Sequence, residues 1–145
     1  MTVGGVHDPR VPTVFHGDGT GRDGRTEIWI QLKYGSLNDA IPFASWREAQ
    51  LMIAEVQGGQ GAVGVINRLR STHKLPFFDS GDAEAIREQV REERRRELWL
   101  QGTRIGDKLR WKESWIAGVS PLGEPYSNLT CIPLPTQETN NNTNL

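Results

Sequence analysis

The stretch REERRRELWLQGTR, residues 91–104, carries eight charges in fourteen positions and still has helical periodicity. At 100° per residue, Ile86, Val90 and Leu100 share one helix face. Glu97 projects between Ile86 and Val90 on that wheel, and Glu93 lies beside them, so two carboxylates sit on the apolar stripe itself. Arg91, Glu92 and Arg95 fall elsewhere and read as solvated. A lone buried carboxylate costs several kcal/mol, so a fold containing this helix must bring cations and donors to it or leave that face wet. Arg94, Arg104 and Arg110 are the local candidates, because a guanidinium fork suits bidentate pairing with carboxylates. Glu93, Arg94, Glu97, Arg104, Asp107 and Arg110 are therefore read as a structural ion-pair network. The alternative is a solvated helix that grazes the core, held by i,i+4 pairs worth tenths of a kcal/mol.

Residues 45–111 as a whole read as helical. Ser45 followed by Glu48 forms a capping box, each side chain satisfying a free backbone donor at the other's position. Trp46, Ala49, Ile53 and Val56 then make one apolar stripe, and Gly58-Gly59 end the helix. A second helix at about 60–71 aligns Ala62, Ile66 and Leu69, and so short a turn implies an αα-hairpin. KLPFFDSGD connects to the third helix, which Ser80 or Asp82 can cap.

The flanks differ. Residues 1–44 are rich in Gly, Asp and Pro, with one strand-like run, TEIWIQLKY (26–34), alternating Ile28, Ile30 and Leu32 against polar neighbours. Residues 112–145 return to loop chemistry, closing on an Asn-rich tail that either straps or frays. The expected fold class is mainly α: an αα-hairpin plus a long charged helix, with irregular loops and a short β-hairpin. One domain over 1–145 is expected, divided into a loop and hairpin segment (1–44), a helical core (45–111) and a loop with a C-terminal strap (112–145). A compact chain of 145 residues buries about 70% of its unfolded surface, enough for a core.

Several functions find no support. The net charge of −1 supplies no global pull toward nucleic acid or an anionic membrane. The arginine run 94–96 is nearly cancelled by its carboxylate neighbours, so no nucleic-acid partner is expected. No apolar run approaches the ~20 residues a spanning helix needs. HGDGTGRDGR (16–25) fails as a calcium loop, because setting Gly24 at position six puts Gly19 and Gly21 where carboxylates belong. It reads as a flexible Gly-rich turn joining two strands. It is no phosphate loop either, lacking G-K-[ST] and a following helix. His7, His16 and His73 lack the i,i+4 spacing of a helical metal site, and Cys131 is the only cysteine, read as an apolar filler. Trp111, Trp115 and Tyr126 read as pins holding a loop to the core, or as exposed rings for a sugar or a protein partner. No catalytic residue, metal or cofactor is expected.

At ERRRELWLQGTRIGDKLR the chain resembles the C-terminal motif of the SusD/RagB family of nutrient-binding outer-membrane lipoproteins, roughly E-R-R-x-E-L-x-x-E-G-x-R-x-x-D-L-x-R. Glu93, Arg94, Glu97, Leu98, Gly102, Arg104, Asp107 and Arg110 match; Gln101 stands for a usual Glu and Lys108 for a usual Leu. Three further stretches agree in order. HDPRV (7–11) is similar to the family's D-P-R segment. EAQLMIAEV (48–56) with INRLR (66–70) is similar to its E-x-x-L-x-x-A-E-A and I-N-x-x-R helix pair. IPLPTQETNNNTNL (132–145) is similar to its closing P-I-P-x-x-E and N-P-x-L, with Thr143 in place of the final Pro; Ser45 stands where an Arg often precedes the first helix motif.

The resemblance implies the C-terminal portion of a longer protein, without the family's signal peptide, lipidated N-terminal cysteine and tetratricopeptide-like helices. It implies nutrient binding, of oligosaccharide above all, at the bacterial outer-membrane surface, and delivery to a SusC-like TonB-dependent transporter with no bond broken. The implied partners are that transporter, the nutrient and the missing N-terminal portion. Family ligand residues vary and lie largely outside this stretch, so no ligand-binding residue is carried over. The N-terminus MTVGGVHDPR has no apolar h-region. Taken literally it implies a cytoplasmic protein, and a stand-alone helical interaction module is the alternative reading; an enzyme with a purely spatial site is the other.

Overall fold

The computed structural model describes residues 2–21 and 24–114, together with Gly118, Val119, Gly123, Pro125 and Asn140. Two compact units divide the chain, Met1–Gly106 and Asp107–Leu145. In the first, two antiparallel hairpins precede three helices. β1 (Thr2–Val3) pairs with β2 (Val6–His7), and β3 (Thr13–Thr20) pairs with β4 (Glu27–Gln31). The helices are α1 (Trp46–Gln57), α2 (Gly59–Thr72) and α3 (Ala83–Glu97); α4 (Arg104–Trp111) starts at the end of the first unit and continues into the second. The fold is mainly α with short β-hairpins, as the sequence leads one to expect.

Local chemistry sets the helix ends. Ser45 Oγ accepts from the Glu48 N–H at 3.2 Å, satisfying one free donor of α1. The capping box is only half made, because the Glu48 carboxylate turns to Arg94, at 3.1 Å. Gly58 and Gly59 carry φ of 60° and 47°, a left-handed pair that reverses the chain and lets α2 start at once. An L side chain with a Cβ there costs roughly 1–2 kcal/mol per residue. Asp82 caps α3, its Oδ2 accepting from the Ala85 N–H at 2.8 Å. The loop between α2 and α3 is pinned by Asn67, whose side-chain amide donates to the Phe78 carbonyl at 2.8 Å and accepts from its N–H at 2.7 Å.

The strand expected over 26–34 stops at Gln31. Its side-chain oxygen accepts the N–H groups of Lys33 and Tyr34, each at 2.9 Å, and its amide donates to the Tyr34 carbonyl at 2.7 Å. Those backbone groups thus leave the ladder. The Gly-rich turn joins β3 and β4 as expected, with a register irregularity between Phe15 and Thr20.

The core is Leu51 and Ala54 of α1, Ala62, Val63, Val65, Ile66 and Leu69 of α2, and Ile86 and Val90 of α3, with Phe78 packed against them. The stripe expected to bury α1 is a correction. Trp46, Ala49, Ile53 and Val56 are exposed, Trp46 by 50% and Val56 by 88% of their surface. Leu51 and Ala54, on another face, make the core contact. Helix α1 is therefore apolar on two faces, and periodicity alone marks the wider one. Leu100 is a second correction: α3 ends at Glu97, and Leu100 sits in a turn at φ 60°, largely exposed, while Leu98 is buried.

These two faces predict opposite responses. Leu51→Ala should cost about 2–5 kcal/mol in urea unfolding, the range for emptying a packed leucine site. Ile53→Ala should stay within about 0.5 kcal/mol, as a surface change.

Candidate functional site

The chemistry of this chain is concentrated where its N-terminal segment meets α3. Asp8 and Glu93 are completely buried, and Arg10 and Glu97 nearly so. Pro9 fixes the backbone between Asp8 and Arg10, and the Asp8 carboxylate folds back to accept the Arg10 N–H at 3.0 Å. The same carboxylate takes the Arg10 guanidinium in a fork, Nε at 2.9 Å and Nη2 at 2.8 Å. Arg10 Nη1 then reaches across to α3. It hydrogen-bonds Glu93 Oε2 closely and lies 3.4 Å from Glu97 Oε1.

Each carboxylate draws further donors. Glu93 Oε1 accepts from Arg70 Nε at 2.8 Å and from the Gln89 amide at 2.7 Å. Arg70 also donates to the Pro76 carbonyl at 3.1 Å and stacks over Phe78. Asp8 Oδ2 accepts from Arg96 at 3.1 Å, and Arg96 bridges on to Glu92. Glu97 is held more loosely. His73 Nε2 stands 3.0 Å from its Oε1 and Arg47 Nε 3.6 Å from its Oε2. Neither contact has hydrogen-bond geometry, and both nitrogens are buried atoms with no hydrogen-bond partner.

Burial alone would push the Asp8 carboxyl up, but the Arg10 side chain and backbone, with Arg96, hold it well below the usual carboxylate range. Burial likewise opposes the Arg10 charge, and Asp8 and Glu93 override it, so the guanidinium is held cationic. The Asp8, Arg10 and Glu93 part of this cluster is closely hydrogen-bonded and reads as structural, while Glu97 adds longer contacts to Arg10, His73 and Arg47.

The expected network is half right. Glu93 and Glu97 are buried on the apolar face, as their helical phase requires. Arg94 is buried too and reaches Glu48 of α1, pairing helix with helix. The cations that meet Glu93 and Glu97 come from outside the expected set. The cations facing Glu93 and Glu97 are Arg10, Arg70, His73 and Arg47. Arg104 is exposed at the start of α4, and Asp107 pairs with Arg110 at 3.4 Å, one turn apart on α4. Arg110 also lies over the Trp111 ring, 4.6 Å from its centroid. Trp115, Tyr126, Cys131 and the Asn-rich tail lie outside the described residues, Asn140 excepted.

Two open depressions flank the cluster. One, of about 390 Å³, has Arg10, His73 and Glu97 with Lys33, Arg47 and Gln101 around it, and prolines and Leu32 for its apolar side. The other, of about 400 Å³, lies by Arg70, Phe77, Phe78, Gln89 and Arg96. Among the described residues, no group of three or more His, Cys, Asp and Glu could hold a metal ion, and no helix is long and apolar enough to cross a membrane. No family model, curated protein or solved structure matches this chain.

Removing one member of such a cluster strands the others. Glu93→Gln should cost about 3–5 kcal/mol, because Arg10 and Arg70 lose a buried counter-charge. Asp8 also sets an acid limit. Its folded pKa lies below its ordinary 3.8, so its stabilisation is complete above that pH and drains away as pH falls below it. Urea midpoints between pH 6 and pH 2 should show that loss, and Asp8→Asn should remove this part of the acid sensitivity.

Proposed function

We propose that this chain is the C-terminal scaffold portion of a SusD-like protein, which binds a nutrient, an oligosaccharide above all, at the bacterial outer-membrane surface and hands it to a SusC-like TonB-dependent transporter. The observation that carries the reading is where the motif residues meet. Asp8 and Arg10 of the D-P-R segment, Arg70 of I-N-x-x-R, and Glu93 and Glu97 of the E-R-R-x-E-L block join in one buried cluster. Leu51 and Ala54 of the E-x-x-L-x-x-A-E-A block lie in the adjoining core, and its Glu48 pairs with Arg94. Three separate stretches of resemblance thus correspond to one physical unit, which is the expected outcome when a shared pattern encodes a shared scaffold.

In this reading the cluster does no chemistry. It holds the N-terminal segment and the helices in one arrangement, and the work of the protein is binding and handover. The uncovered stripe of α1 supports a further piece of the same protein lying over it, since contiguous apolar surface of this kind marks an interface.

The test begins with the DNA upstream of Met1. An in-frame extension encoding a lipoprotein signal and further helices is expected; a stop codon with a native start at Met1 would remove the transport function. In the extended product, Ile53→Lys should destabilise by several kcal/mol, the consequence of burying an unpaired charge. In the 145-residue chain the same change should be nearly neutral and reduce self-association.

A further inference from the structure

We propose that strand β4 is a dimerisation edge, pairing antiparallel with β4 of a second copy of this chain so that two hairpins join into one sheet. This goes beyond the transport reading and does not rest on it.

The ladder fixes which way β4 points its free groups. The Pro12 carbonyl accepts the Leu32 N–H at 2.8 Å, so these two residues form a hydrogen-bonded pair. Along an antiparallel ladder such pairs alternate with open ones. Val14 and Ile30 are then hydrogen-bonded to each other, while Phe15 opposite Trp29 and Thr13 opposite Gln31 are open pairs. The backbone N–H and C=O groups of Glu27, Trp29 and Gln31 therefore point away from β3. Among the described residues no bond from a loop or turn reaches them.

The two edges of the hairpin differ. On the β3 side, Pro12 precedes the strand, and the register shift between Phe15 and Thr20 places the extra residues on β3, with Gly17 among them at φ 48°. Proline and bulges are the devices that blunt an edge. β4, with the sequence EIWIQ, carries neither, and its Trp29 is 59% exposed. A two-stranded ribbon is marginal in water unless it gains strands or packs on a helix, and neither β3 nor β4 makes a substantial contact with a helix.

A second copy fits this edge in charge and in shape. A two-fold axis through Trp29 sets that residue against its own counterpart and Glu27 against Gln31 of the second copy, so the one charged residue of the strand meets a neutral one. An axis through Glu27 would instead oppose two carboxylates, which destabilises a strand pair. With the axis at Trp29, one face carries a row of rings: Phe15 already lies 5.4 Å from Trp29, and the row continues into its symmetry copy. On the other face Ile28 stands against Ile30 of the second copy, beside the exposed Val14. Each copy presents the same strand, as an isologous contact requires.

The experiment follows sedimentation and amide hydrogen exchange of the 145-residue chain across a concentration series, in the Ile53→Lys variant so that association through α1 does not contribute. A concentration-dependent dimer is expected, in which the amides of Glu27, Trp29 and Gln31 gain protection and that of Phe15, on the opposite edge, does not. Trp29→Pro removes an outward N–H and no bond to β3, so it should abolish the dimer and leave the Ile30 amide protected. Trp29→Val keeps the donor and loses the ring, and should weaken the dimer about tenfold, the scale of one aromatic pair. A chain that stays monomeric at every concentration overturns the proposal. So does a dimer that survives Trp29→Pro, or one whose Glu27, Trp29 and Gln31 amides exchange as they do in the monomer.

Discussion

The guanidinium of Arg10 is the joint on which the first unit depends. One side chain faces Asp8 in a fork and Glu93 and Glu97 across a sequence separation of more than eighty residues. Without it, Glu93 and Glu97 would lose the cation they share, and the segment before β3 would lose its contact with them and keep those to Arg96. Planarity and donor number matter here. Arginine can hold two carboxylates in one plane and still reach a third, whereas a lysine is a point charge with no fork. A buried ion cluster is not by itself a source of stability, since well-packed apolar residues of equal volume often do as well. What it supplies is direction: an apolar patch tolerates sliding, and hydrogen-bonded forks do not.

That arrangement also explains which parts were legible from sequence. Helix ends were, because capping by Ser45 and Asp82 and reversal at Gly58-Gly59 are local chemistry written in adjacent residues. The burial of Glu93 and Glu97 was legible from helical phase. Their partners were not, because proximity in sequence favoured Arg94, Arg104 and Arg110, while Arg10 comes from the opposite end of the unit. The Asp-Pro-Arg triplet did carry a signal. A carboxylate and a guanidinium two residues apart across a proline are set to fork together, and a pre-formed fork with a spare nitrogen looks for a second acid. His73 and Arg47 gave no such hint; only the fold brings them to Glu97.

The misread stripe on α1 has a physical origin too. A helix wheel ranks faces by hydrophobicity, and Trp46, Ile53 and Val56 outweigh Leu51 and Ala54. Close packing ranks them differently. Ala54 is small enough to admit a neighbouring helix, and Leu51 fills the gap beside Ile66 and Leu69. The bulkier stripe is left outward, with the Arg47 guanidinium lying over the Trp46 ring at its start.

Taken together, the two faces of α1 and the ion cluster divide the labour of the chain. The cluster fixes the relative placement of the N-terminal segment, α2 and α3, so that the outward stripe is presented on a rigid support. A stripe on a mobile helix would lose affinity to the entropy of ordering it; a stripe on a braced helix does not. Arg94 strengthens that brace, because its bond to Glu48 ties the first turn of α1 to α3 at the end that carries Trp46. The half-made capping box follows from the same contact: Glu48 gives up the local hydrogen bond expected of it and holds the partner helix. Local order at the start of α1 is thus exchanged for a fixed contact between helices.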